Sequence, residues 1–383
     1  MGCLTTSTVF LARMSHREND EYVHNYDLAD VSPELLVDKT ILSAPSTNPP
    51  SKTTSNDNAV VPEQATTIWP AIKEIDCQHH HAEGDPNEGL EEDPKRFINQ
   101  TAANFWISLH KQGFDPMRWN SIMKQGIYYE KGVTKIFQEI LQHADPKGYV
   151  VDVGMNIGWY SIYSRAMGHK VLGFDPNPIM HSRVCSSLKL NQWWDGISDN
   201  TSSSSSGITT FAYGLGDRVE NLNLGIGQNP GASSFLTKQG RSINVPVTTL
   251  DLVATQMGWL QQESQDVAPI IYLLKIDTEG YEPFIIRGGS KLLFSGLVQN
   301  IVAENKPNKE GSPKEVLEWF TMLWRAGFEV KELHLPGWKG EKKFKEWTKN
   351  LNDSLRNGEF EGSESHQHFA KEMIDMWWTK RTS

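Results

Sequence analysis

Cysteine is nearly missing from this 383-residue chain: Cys3, Cys77 and Cys185 are its three examples, and they stand far apart. Such spacing builds neither a metal-ligand set nor a disulfide framework, so a reducing compartment is the simplest expectation. Long apolar runs are missing too, and no stretch of 18 or more apolar residues is present to span a bilayer. Clustered positive charge is equally scarce. The formal charge is −10, and the one basic run, Lys339 to Lys349, is interrupted by Glu341 and Glu346. Binding a phosphate backbone requires grouped Lys and Arg, which excludes nucleic acid as a partner.

What is present divides the chain unevenly. Residues 1–93 are rich in Ser, Thr, Asn, Pro and acids, too polar to offset the entropy of ordering, and are expected to be mostly disordered. Met1-Gly2-Cys3-Leu4-Thr5-Thr6 meets the pattern for acylation at Gly2, with Cys3 available for a second chain. Residues 1–17 also lack acids and carry Arg13 and Arg17, as organelle-targeting peptides do. Both patterns are short, and a cytoplasmic location without either is the leading expectation. His79-His80-His81 lies near Cys77, but adjacent histidines alone fix no coordination geometry, so no metal is inferred. Over 94–147, Phe97, Phe105, Trp106, Leu109, Ile136, Phe137 and Ile140 recur at helical intervals and predict a helical lead-in.

From 148 to 335 strands and helices alternate, the pattern of a doubly wound, mostly parallel α/β sheet of Rossmann-like type. Val150, Val151 and Val153 suit a strand buried on both faces, and Gly154 and Gly158 then let backbone approach a ligand where a helix opens. Asp175 follows 23 positions after Asp152, at the tip of the next strand, where a carboxylate can accept from two ribose hydroxyls. A dinucleotide turn asks for a middle glycine, whereas here the middle residue is Asn156. A pyrophosphate therefore fits poorly, and Asp152 suits a cofactor with an ammonium group, such as S-adenosylmethionine. A Ser-rich loop over 195–207 interrupts the core. Leu222, Leu224 and Ile226 with Ile243, Val245 and Val247 predict a β-hairpin, its second strand set at a sheet edge by Pro246. Ser312-Pro313-Lys314-Glu315 caps a helix ended by Gly327, and a strand over Phe328 to Leu335 closes the core. The charged, aromatic residues 336–383 predict a helical extension in which Trp377 and Trp378 pack.

A second chemical segment, Leu274-Lys275-Ile276-Asp277-Thr278-Glu279-Gly280-Tyr281-Glu282, sets four charged side chains at the carboxyl end of a predicted parallel strand. Open α/β sheets keep their sites there. Glu279 and Glu282 also suit the positive end of the following helix, but Lys275 and Asp277 share one strand face and need a chemical reason. Glu304, ending the next strand, is expected to face the same crevice.

Together, VDVGMNIG (151–158), GFDPNP (173–178), LKLNQW (188–193), VPVTTLD (245–251), LLKIDTEGYE (273–282) and IVAEN (301–305) resemble the FkbM-type methyltransferases over about residues 126–335. The resemblance implies a class I methyltransferase fold with S-adenosylmethionine as cofactor. It also implies that Asp152, Gly154, Asn156 and Gly158 border the methionine part, Asp175 the ribose, and Gly216 with Asp217 the adenine edge. The expected reaction is O-methylation of a hydroxyl on a small molecule or glycan. Asp277 is the first candidate base, followed by Glu279 and Glu304 with Lys275 beside them, and by His334. The alternatives are an NAD-dependent oxidoreductase, disfavoured by Asn156, and a non-catalytic cofactor-binding scaffold, disfavoured by the crevice acids.

Overall fold

The computed structural model describes residues 71–381 apart from 101, 129, 194–206, 227–230, 232, 238–239, 261–268, 307–311, 332–340 and 372. The acylation pattern at Gly2 and Cys3, the serine run and His334 lie outside these residues.

The described region opens with an antiparallel hairpin, β1 (Lys95–Asn99) and β2 (Asn104–Ser108). This corrects the start of the predicted helical lead-in. Phe105 and Ile107 are buried while Trp106 between them is exposed, a period of two that the helical reading of the same apolar residues overlooked. Helices follow: α1 (Pro116–Trp119), continued by a π-turn over Asn120–Lys124, and α2 (Lys131–Leu141). The main alternation then runs β3 (Tyr149–Val153), α3 (Trp159–Ala166), β4 (Lys170–Phe174), α4 (Pro178–Leu190) and β5 (Ile208–Phe211). After β6 (Gly214–Leu215), β7 (Glu220–Ile226) and β8 (Arg241–Thr248) come α5 (Leu250–Gln256), β9 (Ile271–Ile276), α6 (Glu282–Gly288), α7 (Ser290–Phe294) and β10 (Asn300–Asn305). The chain continues through α8 (Ser312–Arg325), β11 (Phe328–Lys331), α9 (Glu341–Asn357), α10 (Glu364–Phe369) and β12 (Ile374–Lys380).

Seven strands form the main sheet in the order β11-β12-β10-β9-β3-β4-β5, parallel from β10 to β5 and antiparallel on both sides of β12. Both faces are covered, so alternate residues of one strand enter different cores: Val151 and Val153 pack on one side, Val150 on the other. On the first side α8 contributes Val316, Phe320 and Leu323, all buried, each stabilising the fold by roughly 1.5–3 kcal/mol. β12 departs from the predicted helical extension. Trp377 and Trp378 are buried on opposite faces of this interior strand, so they pack as expected but without the alternation that marks a half-exposed strand. In the small sheet, order β6-β8-β7, the strand bearing Pro246 is the middle one rather than an edge. Proline is tolerated because β6 reaches only Val247 and Thr248, leaving Pro246 paired on its other side to Asn221.

Cys77 and Cys185 are joined by a disulfide, with Cα atoms 5.2 Å apart, which corrects the expectation of three unpaired thiols. The pairing also removes the basis for inferring a reducing compartment. It ties residues 71–93, expected to be disordered, along α4. Ile75 N–H donates to the Thr210 carbonyl beside β5, His80 Nε2 bonds the Pro178 carbonyl, and Arg183 of α4 pairs with Asp85 and Asp93.

Candidate active site

The carboxyl ends of β3, β4 and β9 open onto one crevice, where open α/β sheets keep their sites. Val153 to Asn156, Phe174, Asp175, Tyr213, Lys275, Asp277, Thr278 and Glu279 line it. Arg118, Tyr128 and Tyr160 also line it, as do Ser233, Ser234 and Phe235 between β7 and β8.

The turn after β3 is shaped by contact with β9. Gly154 has φ +76°, and an added Cβ would overlap the Asp277 carbonyl oxygen, so only glycine permits this approach. Asn156 also sits at positive φ, 54°, a conformation asparagine tolerates best among side-chain-bearing residues. Its backbone N–H donates to Asp175 Oδ2 (2.9 Å), while the Asn177 N–H donates to Oδ1 (2.8 Å). Two amides therefore aim the Asp175 carboxylate into the crevice. Burial pushes its pKa up to about 6, against the pull of those amides.

Asp152 and Lys275 are direct neighbours across the β3–β9 pair. Asp152 is 0% exposed and does not line the crevice; Ser161 Oγ donates to its Oδ2 (2.7 Å), and its Oδ1 lies 3.8 Å from Lys275 Nζ. The sequence sets Asp152 against a cofactor's amino group; in the structure its carboxylate turns toward α3 and Lys275. Burial raises its pKa, and Lys275 opposes that. Lys275 in turn donates to Asp277 Oδ2 (3.1 Å) and sits 5.3 Å from the Tyr160 ring centre. Burial works against its charge, yet Asp277 and Asp152 hold the ammonium above its ordinary range.

The remaining acids divide. Asp277 and Glu279 line the crevice, but the Glu279 carboxylate is bound by Lys306. Glu282 is structural: its Oε1 accepts from Thr278 N–H (2.7 Å), Thr278 Oγ1 (3.0 Å) and Gly280 N–H (3.2 Å), and burial pushes its pKa up to about 7. Glu304 does not line the crevice. It opens onto a small neighbouring cavity with Glu282, Lys306 and Trp319, and burial, reinforced by the charge of Asp277, raises its pKa. It was expected to face the crevice; the structure sets it in this neighbouring cavity, within reach of the charge of Asp277. Asp375 of β12 is its cross-strand partner, raised by burial and by Glu130 and Asp277.

Three other expected contacts also fall outside the crevice. Gly158, at the start of α3, packs against Val184 of α4. Gly216 packs against Gly288, where any Cβ would strike the Gly216 carbonyl oxygen, and Asp217 pairs with Arg287 at 3.3 Å. Tyr213, Gly214 and Leu215, just before them, line the cavity instead. Tyr160 and Tyr213 carried no pattern of their own. Arg118 and Tyr128 were missed as well, although Asp115-Pro116 has the cap-then-proline order of a helix start. Among the described residues, no group of three or more His, Cys, Asp or Glu is arranged to hold a metal ion, and no helix is long and apolar enough to cross a membrane.

Residues 152–330 match the Methyltransferase FkbM domain. No curated protein matches the chain. Solved structures similar to it include a putative SAM-dependent methyltransferase from Streptococcus mutans, at 9% identity and TM-score 0.33, over 76% of this chain and 56% of that one. A SAM-dependent methyltransferase from Agrobacterium tumefaciens is similar at 12% identity and TM-score 0.33, over 76% and 72% of the two chains. Another, from Geobacter sulfurreducens in complex with S-adenosyl-L-homocysteine, is similar at 11% identity and TM-score 0.28, over 70% and 100%. The chain thus spans 56% of the Streptococcus mutans structure, and likenesses this distant carry no argument about function.

Proposed function

We propose that the chain, whose residues 152–330 match the Methyltransferase FkbM domain, binds S-adenosylmethionine in this crevice and methylates a hydroxyl oxygen of a small molecule or glycan. The observation that carries the reading is the pairing of two built ends in one cavity: Asp175, aimed by two amides, and Asp277, held by Lys275.

The donor set fits the cofactor. Each oxygen of Asp175 accepts one amide N–H and keeps a lone pair for a ribose hydroxyl. Tyr213 and Leu215 supply flat and apolar surface for the base, and the turn from Gly154 to Asn156 borders the rest. When bound, the cofactor supplies a methyl group on positively charged sulfur, already activated for in-line displacement.

The chain's own task is then positioning and removal of one proton. Asp277 is the acceptor for the hydroxyl proton: it lines the cavity, and Lys275 fixes its carboxylate at the strand tip. Glu279, two residues farther from the end of β9, ranks behind it. The aromatic rings of Tyr128 and Tyr160 offer faces against which a hydroxyl-bearing acceptor can lie.

Calorimetric titration with S-adenosylhomocysteine and, separately, with NAD tests the reading. Binding of the first and none of the second is expected; the reverse would overturn it.

A further inference from the structure

We propose that Gly231 and Ser233 to Thr237, between β7 and β8, form an autoinhibitory strap that occludes the crevice in the free protein and that a ligand displaces on entry. The bond from Ser234 Oγ to the Glu279 carbonyl is its latch. The inference rests on the reading of this crevice as the cofactor site, but not on how a cofactor lies within it.

The strap is bonded to both chemical segments of the site. The Gly231 carbonyl accepts from Asn156 Nδ2 (3.1 Å), on the turn after β3, and Ser234 Oγ donates to the Glu279 carbonyl (3.0 Å), in the loop after β9. Gly231, Ser233, Ser234 and Phe235 line the crevice along with those segments. Leu236 packs against Gly280, where an added Cβ would stand 3.1 Å from Leu236 Cδ1. Ser234 organises these contacts. It is buried, its backbone exchanges two hydrogen bonds with Gly225 of β7, and its hydroxyl also accepts from the Leu236 N–H (3.1 Å). One side chain thus shapes the strap and ties it to the loop that carries Asp277 and Glu279.

With the strap in this position the crevice is nearly filled. Its free volume is about 50 Å³, room for a few water molecules, whereas a cavity of about 150 Å³ admits a ring the size of benzene. A nucleoside is larger than benzene, so part of the lining has to move. The segments that follow β3 and β9 are held by the backbone of the main sheet: Gly154 and Met155 N–H donate to the Phe174 carbonyl, and Asp277 N–H to the Val153 carbonyl. The strap belongs to the small sheet, and its bonds to Asn156 and Glu279 are made through side chains, which exchange partners without breaking a strand pairing. A contact made only in the occluded state lowers apparent affinity, so removing it tightens binding.

Calorimetry and stopped-flow binding of S-adenosylhomocysteine to the full chain test the assignment. Ser234→Ala should bind it about 3- to 10-fold more tightly than the wild type, the effect of deleting one hydrogen bond from the occluded state. The gain should appear in the association rate, with the dissociation rate little changed. Leu236→Ala, which removes the contact on Gly280 and keeps the hydroxyl, should shift affinity in the same direction. Unchanged or weaker binding by folded Ser234→Ala overturns the proposal, because a segment that merely completes the site can only lose affinity when it is loosened. Should Ser234→Ala not fold, the same outcome in Leu236→Ala overturns it. Absence of S-adenosylhomocysteine binding in the wild type and in both variants would instead sink the reading of the crevice as a cofactor site.

Discussion

The ammonium of Lys275 donates to the carboxylate of Asp277 over 3.1 Å, from two residues earlier on the same strand face. Because β9 is in register with β3, the same lysine also compensates the wholly buried Asp152. One cation thus serves a wholly buried acid and an acid that lines the crevice.

Lys275→Met should therefore destabilise the protein by about 3–5 kcal/mol, the range for leaving a buried charge without its partner. Adding Asp152→Asn should recover part of that loss in chemical denaturation while turnover stays low. Undiminished stability in the single variant would contradict the assigned pairing.

Asp277→Asn preserves shape and removes the proposed proton acceptor. Turnover should fall by about 10²- to 10⁴-fold while S-adenosylhomocysteine affinity, measured by calorimetry, changes little. A variant that keeps most of its turnover would reassign Asp277 to binding.

Gly154→Ala introduces both positive-φ strain and overlap with the Asp277 carbonyl. A destabilisation of about 1–3 kcal/mol from the backbone conformation alone is expected, with loss of cofactor affinity because the turn must shift. Thermal melts with and without S-adenosylhomocysteine would register both effects.

The pH dependence has opposite signs for folding and binding. The Asp175 pKa stands at about 6 in the folded protein against an ordinary 3.8, so its charge costs stability above pH 6. That cost fades as pH falls from about 6 toward 4, and the group then favours the fold. Ribose recognition needs the ionised carboxylate, so affinity for S-adenosylhomocysteine should decline over the same window. Asp175→Asn should flatten both trends; unchanged slopes would show that another group controls them. Glu282, pushed up to about 7, shifts stability in the same direction but does not line the crevice.

Reduction of Cys77–Cys185, or Cys185→Ser, opens a link spanning 108 residues of sequence and should cost about 2–5 kcal/mol. Melting with and without reductant measures this. Peptide mapping under non-reducing conditions should recover the Cys77 and Cys185 peptides joined; finding both thiols alkylated in unreduced protein would refute the link.

The parts of this fold legible in the sequence are those whose interactions are local. The strand, turn, helix and acid from Val150 to Asp175 lie within one short segment, and Asn177-Pro178 both caps and starts α4. Lys275 and Asp277 were visible because a charged pair at the end of a buried strand is unusual. The rest depends on distant partners. Nothing within Cys77 or Cys185 names the other, and Arg118 enters the crevice from outside the motif-bearing core. Asp152 shows the same dependence: its charge suited a ligand, and only the strand register sets it beside Lys275.

The position of β12 bears on how the sheet is completed. It is made after β10 and β11 yet lies between them, bonded to both. β11 thus has no place on the sheet until β12 has been synthesised and inserted, and during that interval the free edge of β10 is a template for other chains. Completing this face is a late, long-range step, whereas the cofactor half, from β3 to β5, can assemble while the ribosome is still at work.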